Sequence, residues 1–354
     1  MGATSSANTL IREQWVLVSD GADADTRDCV VAIRSLARAG YSVAVTTRSS
    51  HPMLSRYVGR RVPADEHDIA DVIRNEMDGG DYAAFVPAGE SVVLSLEAQV
   101  PSLLDKASVS RRAREVGLRV PEEIVFAGPA DLAAAAPTLR FPVVVKPAIR
   151  TFKAFRAHDP SQLSGVPEDS GEIIVQPFLE GEMSAVAGVM WDSQIHSCSF
   201  ERWERIWPLD CGLATWAVTT TPSDTVAQAL SSLMTGYSGL FVAQFVGGHL
   251  IDLNLRVHSS LPLAVKAGAN LVAIYADLAQ GLSPARTQAE PGHTFRWISG
   301  DLKGVITATR SGAIPVLEAI QAMMPVRGTA HSMVSWRDPS PMFARLTARV
   351  GGRD

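Results

Sequence analysis

The stretch Val242–Gly281, VAQFVGGHLIDLNLRVHSSLPLAVKAGANLVAIYADLAQG, decides how the rest of the chain is read. Two apolar runs, Phe241 to Val246 and His249 to Leu255, flank Gly247-Gly248, a pair suited to a tight hairpin turn. Residues two apart on a strand share a face, so Asp252 and Asn254 point the same way, and Gln244 reaches that face from across the turn. The result is a patch of oxygen donors with a single formal charge. Mg2+ prefers hard oxygens and needs only one or two carboxylates when phosphate oxygens and water complete its octahedron. Arg256 continues the alternation and can hold a phosphate or carboxylate through its bidentate fork. A solvated hairpin face is the competing reading of the same residues. After the hairpin a helix covers Leu261 to Lys266 and, past Gly268, resumes to Leu278.

Moving toward the N-terminus, FPVVVKP (141–147) is an apolar strand that ends in Lys146. An ammonium carried by such a strand needs an anion close by, either a nucleotide phosphate or a neighbouring carboxylate. Lys106 opens a helix after Asp105 and reads as a surface lysine. In Val175-Gln176-Pro177-Phe178-Leu179-Glu180 a strand leaves its sheet with a proline inside it, which suits an interdomain hinge whose free backbone groups can pair with a planar base. Between them, Ala148 to Arg156 carries Arg150, Lys153 and Arg156, which either grip phosphates or form a solvated basic face.

Roughly the first hundred residues alternate apolar strands (Trp15 to Ser19, Ser42 to Thr46, Tyr82 to Val86) with helical periodicity (Thr26 to Arg38, Ile69 to Met77), the pattern of a doubly wound parallel sheet. The first strand runs into Gly21-Ala22-Asp23-Ala24-Asp25, without GxGxxG and with two acids where a pyrophosphate needs bare amides, which argues against a dinucleotide site. The 354 residues are more than one core usually organises, so two or three subdomains are expected. A composition 46% hydrophobic and 19% charged is that of a globular protein, and a net charge of -5 gives no basic footprint for nucleic acid or an acidic membrane. Three cysteines without paired spacing suggest free thiols in a reducing compartment. Met1 to Gln14 lacks the apolar core of a secretory signal, and Met1-Gly2 with Ser6 fits the loose myristoylation pattern less well than a frayed start. No apolar run approaches the roughly 20 residues of a membrane span. A cytoplasmic protein is therefore expected.

Taken in order, these pieces resemble the ATP-grasp superfamily, in its carboxylate–amine ligase branch, and the ATP-grasp domains of carbamoyl phosphate synthetase and biotin-carboxylase-like enzymes. DLNLR resembles the family's E-x-N-x-R strand, with Gln244 on the strand before it; FPVVVKP resembles the strand that delivers a lysine to the ATP phosphates; IIVQPFLEGE resembles the adenine hinge. SFERWERIWPLDCGLATW (199–216) resembles an Arg-containing strand and loop of the ligase branch, and DKASVSRRAREVGLRVP resembles the helix before the lid. The match runs over about residues 104 to 281.

The resemblance implies a pre-ATP-grasp domain with a doubly wound parallel sheet (1–104), a lid with its leading helix (105–180), a catalytic subdomain (181–285) and a C-terminal extension packed on it (286–354). It implies that Gln244, Asp252 and Asn254 hold Mg2+, that Lys146, with Lys106 and Lys153, contacts the phosphates of ATP, and that Gln176, Pro177, Phe178 and Leu179 meet the adenine. Glu182 would reach the ribose, while Arg256 and Arg205 would steady the transferred phosphoryl or the substrate carboxylate. The implied activity is ADP-forming carbon–nitrogen ligation through an acyl phosphate, on small-molecule carboxylate and amine substrates, with a homodimer compatible. Two departures stand out: Asp252 replaces the usual Glu, and the Gly-rich lid loop is missing. They keep two alternatives open, a bicarbonate-activating enzyme and a non-catalytic nucleotide-binding protein.

Overall fold

The apolar run at Trp15–Gly21 forms β1, the first strand of a computed structural model that describes residues 15–21, 27–48, 50–64, 69–95 and 101–350. The start at Met1 to Gln14 and most of the Gly21 to Asp25 loop, both discussed above, lie outside the described residues. β1 is followed by α1 (Arg27–Arg38), β2 (Ser42–Thr47), α2 (Ser50–Met53), β3 (Val58–Arg61), α3 (Ile69–Asp78), β4 (Tyr82–Pro87) and α4 (Glu90–Ser95). The strands pair in the order β3-β2-β1-β4, all parallel. β1 is central and covered on both faces: Val16 and Val18 pack toward α1, while Leu17 packs with Ile73 and Val92. That is why its sequence is a continuous apolar run and not an alternating one.

The chain then forms α5 (Lys106–Glu115), β5 (Ile124–Phe126), α6 (Pro129–Ala135), β6 (Val143–Pro147), β7 (Phe155–Ala157) and β8 (Ile173–Pro177). Its four strands make a small antiparallel sheet in the order β5-β8-β6-β7. Val143 and Val145 point into that unit's own core with Leu132, Ile173 and Val175. By alternation, Lys146 projects from the other face. The helix grouped above with the lid packs elsewhere: Val109 and Ala113 of α5 join Leu230, Leu250 and Leu253, so α5 belongs to the core of the next unit.

That unit comprises β9 (Met183–Trp191), β10 (Gln194–Trp207), β11 (Leu213–Thr219), α7 (Asp224–Leu233), β12 (Gly239–Val246), β13 (His249–Asn254), α8 (Leu261–Lys266) and α9 (Leu271–Ala279). It continues through β14 (Thr294–Arg296), α10 (Ile298–Arg310), α11 (Val316–Met323), β15 (Ala330–His331) and α12 (Ser340–Val350). Seven strands pair in the order β13-β12-β9-β10-β11-β14-β15. One face, with Ala185, Ala187 and Val242, packs on α8 and α9 and shares a core with α1 and β1; the other, with Val186, Phe200 and Phe241, packs on α5 and α7.

The C-terminal segment does more than pack on this sheet. β14 and β15 widen it, and the segment after β15 returns to the first unit. There Asp338, fully buried, accepts from Arg34 Nε at 2.9 Å, Ser55 Oγ at 2.8 Å and the Arg56 amide at 3.0 Å. No helix among the described residues is long and apolar enough to cross a membrane.

Removing one partner of a buried ion pair leaves the other charge uncompensated. Asp338→Ala should therefore cost roughly 3 kcal/mol of stability, read as a lower denaturant midpoint in equilibrium unfolding.

Candidate active site

The site begins as a line of side chains across the seven-stranded sheet. Asp252 lies opposite Gln244, Gln244 opposite Ala185, and Ala185 opposite Glu201. Directly opposed residues of antiparallel strands carry their side chains on one face. Asn254 begins the neighbouring line, through Val242 and Ala187 to Ser199. Asp252, Asn254 and Gln244 therefore share a face, as the alternation along β13 requires.

Lysines from two other elements converge on this patch. Asp105 caps α5, its carboxylate accepting from the Ala107 and Ser108 amides at 3.1 Å each, and this fixes Lys106 on the first turn. Lys106 Nζ lies 2.5 Å from Asp252 Oδ1 and 3.9 Å from Glu90 Oε1. Asp252 Oδ2 accepts from Asn254 Nδ2 at 2.8 Å. Lys146, delivered by β6, donates from Nζ to the Ile251 carbonyl at 2.9 Å. Arg150 Nη1 donates to Glu90 Oε2 at 2.9 Å. Three cations thus meet two carboxylates.

The charges respond accordingly. Burial pushes the Lys146 ammonium down to about 8; Asp252 opposes that fall and Lys106 adds to it. Burial also works against Lys106, but Asp252 and Glu90 more than offset it and its pKa is raised. For Asp252 burial alone favours the neutral acid, yet Lys106 and Lys146, with the hydrogen bonds from Lys106 and Asn254, hold the carboxyl down at about 2. Lys146 is the under-compensated group: its direct partner is a neutral carbonyl, so an incoming anion would restore its charge.

The remaining predicted residues divide. Gln176 is buried and donates from Nε2 to Glu123 Oε2 at 3.0 Å, so its amide is spent inside the lid. Pro177 is exposed, while Phe178 and Leu179 are half-buried. Phe178 donates its amide to the Pro142 carbonyl at 3.1 Å, and Arg156 lies over its ring, Cζ 3.7 Å from the centroid. Lys153 and Glu182 are exposed, with Glu182 Oε2 3.8 Å from Arg202 Nε. Arg256 Nη1 sits 2.5 Å from Asp28 Oδ2, which joins the end of β13 to the start of α1. Arg205 differs from its expected role: it grips Asp301 with two edge-on bonds, Nε to Oδ1 at 2.7 Å and Nη2 to Oδ2 at 2.8 Å. Arg296 reaches the same carboxylate at 2.7 Å. That geometry ties β10 and β14 to α10, and the Arg205 edge that would hold a substrate carboxylate is occupied.

Family models give no match to the chain, and neither do the curated proteins. Solved structures do match. An L-amino acid ligase from Bacillus licheniformis aligns at 17% identity over 76% of this chain and 75% of its own, with TM-score 0.57. Carboxyaminoimidazole ribonucleotide synthase from Aspergillus clavatus, complexed with ATP, aligns at 15% identity over 86% and 87%, with TM-score 0.63. Phosphoribosylamine–glycine ligase from Thermotoga maritima aligns at 15% identity over 79% and 78%, with TM-score 0.56. These share one architecture with the three sheets described above.

The chain has the ATP-grasp fold.

In this ATP-grasp fold the residues present fit Mg2+ with a nucleotide polyphosphate. The oxygen set of Asp252, Asn254 and Gln244 is hard and carries one carboxylate, which suits Mg2+ when phosphates supply further ligands. Asn254 turns its amide nitrogen to Asp252, leaving its Oδ1 as the acceptor the ion requires. Lys106, Lys146 and Arg150 would provide the positive charge that the phosphates require. Glu90, Glu123 and Asp28 were missed in the sequence. Glu90 begins a helix, where an acid ordinarily complements the dipole, so nothing local marks it as a partner of Lys106 and Arg150.

Because Lys146 sits near 8 when free and a phosphate raises it, nucleotide binding should take up about one proton per nucleotide at about pH 9 and almost none at about pH 7. Titration calorimetry with a non-hydrolysable ATP analogue, in buffers of differing ionisation enthalpy, measures this uptake; Lys146→Ala should abolish it.

Proposed function

We propose that the chain is an ADP-forming ATP-dependent ligase that joins a small-molecule carboxylate to an amine through an acyl phosphate, with an amino acid or small peptide as substrate. The observation that carries this reading is the convergence of Lys106 and Lys146 at Asp252 and the adjoining Ile251 carbonyl in an ATP-grasp fold. Phosphoryl transfer requires positioning and charge neutralisation more than covalent chemistry, and those are what this cluster offers. The printed activities of two matched structures, an L-amino acid ligase and a phosphoribosylamine–glycine ligase, support an amine acceptor.

Each residue then has a task. Lys146, Lys106 and Arg150 neutralise the phosphates, with Lys153 adding charge from the exposed lid loop. Asp252, Asn254 and Gln244 hold Mg2+, which when bound neutralises phosphate charge. The segment Gln176 to Leu179 forms the adenine hinge through its backbone, and Glu182, exposed beside it, can turn to the ribose. Arg256, held by Asp28 where β13 meets the first unit, faces the carboxylate substrate. In the reaction the substrate carboxylate attacks the γ-phosphorus and ADP leaves; the amine then attacks the acyl carbon and phosphate leaves. The units 1–104, 105–180, 181–285 and 286–354 serve as preceding domain, lid, catalytic sheet and extension of a cytoplasmic enzyme, with α5 working from the sheet side.

A second reading, nucleotide binding without turnover, is favoured by one fact: both Asp252 oxygens are already engaged, by Lys106 and Asn254. ADP release with Mg·ATP against a panel of carboxylates and amines decides between them. The ligase reading expects ADP formation that requires both substrates and falls at least about 100-fold in Asp252→Ala and in Lys146→Ala. Tight nucleotide binding with no substrate-dependent ADP would establish the second reading.

A further inference from the structure

Beyond the cluster around Asp252, the same face of the sheet carries an acid that nothing above uses. Glu201 lies on the line Asp252–Gln244–Ala185–Glu201, about three strand spacings or roughly 14 Å from Asp252. Its side chain is fully buried. Oε2 is fixed by two donors, Ser260 Oγ at 2.9 Å and Trp203 Nε1 at 3.4 Å. Oε1 has no hydrogen-bond partner and faces His258 Nε2 at 3.6 Å; that nitrogen is also buried and unbonded. A buried carboxyl oxygen and a buried ring nitrogen, each without another partner, are costly to maintain unless they serve each other when a proton arrives.

The chain places them deliberately. After β13, Val257 donates its amide to the Pro87 carbonyl at 3.0 Å, and Val257 and Leu261 belong to the same hydrophobic core as Ala185. This segment carries His258 and Ser260 to Glu201. His258 keeps 12% side-chain exposure while Glu201 keeps none. With Nε2 buried against Glu201, Nδ1 is the ring nitrogen left to meet a substrate. Imidazole is the side chain suited to exchange protons near neutral pH, and a carboxyl group behind it orients the ring and stabilises the imidazolium.

We propose that His258, positioned by Glu201, takes the proton from the acceptor amine as the carbon–nitrogen bond forms. The inference rests on the ligase reading above. In the step, the amine lone pair bonds to the acyl carbon, the carbon–oxygen bond to phosphate breaks with its electron pair leaving on phosphate, and the amine proton passes to His258 Nδ1. The charge so created on the ring is held by Glu201 through Nε2–H. His258 touches the substrate; Glu201 is a positioning residue, and Ser260 and Trp203 hold it in place.

Hydroxylamine separates the two halves of the reaction, because it captures an acyl phosphate as a hydroxamate without needing a strong base. The experiment compares hydroxamate and amide formation by the wild-type protein, His258→Asn and Glu201→Gln with Mg·ATP and the carboxylate. Amide formation is expected to fall about 100-fold in His258→Asn and about tenfold or more in Glu201→Gln, with hydroxamate formation within about threefold of wild type in both. Retained hydroxamate also certifies that each variant is folded and binds ATP. Amide formation undiminished in His258→Asn, or amide and hydroxamate falling together in both variants, would overturn the assignment. Absence of hydroxamate from the wild-type protein would instead overturn the ligase reading on which it rests.

Discussion

The carboxylate of Asp252 is the point at which three parts of the molecule meet. One oxygen is taken by Lys106 from α5 and the other by Asn254 from its own strand, while the lid's Lys146 binds the carbonyl of the preceding residue, Ile251. β13 is an edge strand, and an edge strand presents backbone groups that must be covered or used. Here both occur: the Arg119 carbonyl accepts the Leu250 amide at 2.8 Å, and the Ile251 carbonyl receives the lid lysine. Covering the edge of the sheet and gathering Lys106, Lys146 and Asp252 are therefore one structural solution. The depressed Lys146 and the strongly acidic Asp252 are two sides of it, since burial penalises both charges and only Asp252 has enough opposite charge beside it.

Much of this was legible in the sequence because it depends on period. The two-residue repeat of LIDLN places Asp252 and Asn254 together without tertiary information, and Gly247 and Gly248, both at positive φ, close the hairpin that brings Gln244 alongside. The apolar run before Lys146 announces a buried strand, and its alternation sends the lysine out of the lid's core. The βαβ rhythm of the first unit is legible for the same reason. Lys106 was legible only through the resemblance: nothing around a capped helix start distinguishes a surface ammonium from one that meets a carboxylate 146 residues away. Its role is created by how α5 docks on β13, which only the packing of Val109 and Ala113 reveals.

Arg205 shows the converse failure. Its strand and its residue type match the expected pattern, but its partner, Asp301, lies in the stretch whose sequence is least periodic. Short strands such as Thr294–Arg296 and Ala330–His331 carry too few residues for alternation to register. Once formed, they extend the sheet and place Arg296 beside Arg205, so that a single buried carboxylate accepts from two guanidiniums. The C-terminal segment thus completes the sheet at one end and, through Asp338, closes it onto the first unit at the other.

The small residues in the middle of this face follow from the same geometry. Ala185 and Ala187 stand where the lines from Asp252 and Asn254 cross the middle of the sheet, and both are buried. Side chains that end at Cβ keep this part of the core thin where it is shared with Val257 and Leu261, and His258 and Ser260 between them meet Glu201. A larger residue at 185 would lift that segment and separate the imidazole from its carboxyl partner while leaving Asp252, Asn254 and Lys146 in register, because those are set by the hairpin and by the lid. The separation of the Asp252 cluster from the Glu201–His258 pair on this face therefore rests on small residues as much as on the charged residues they separate.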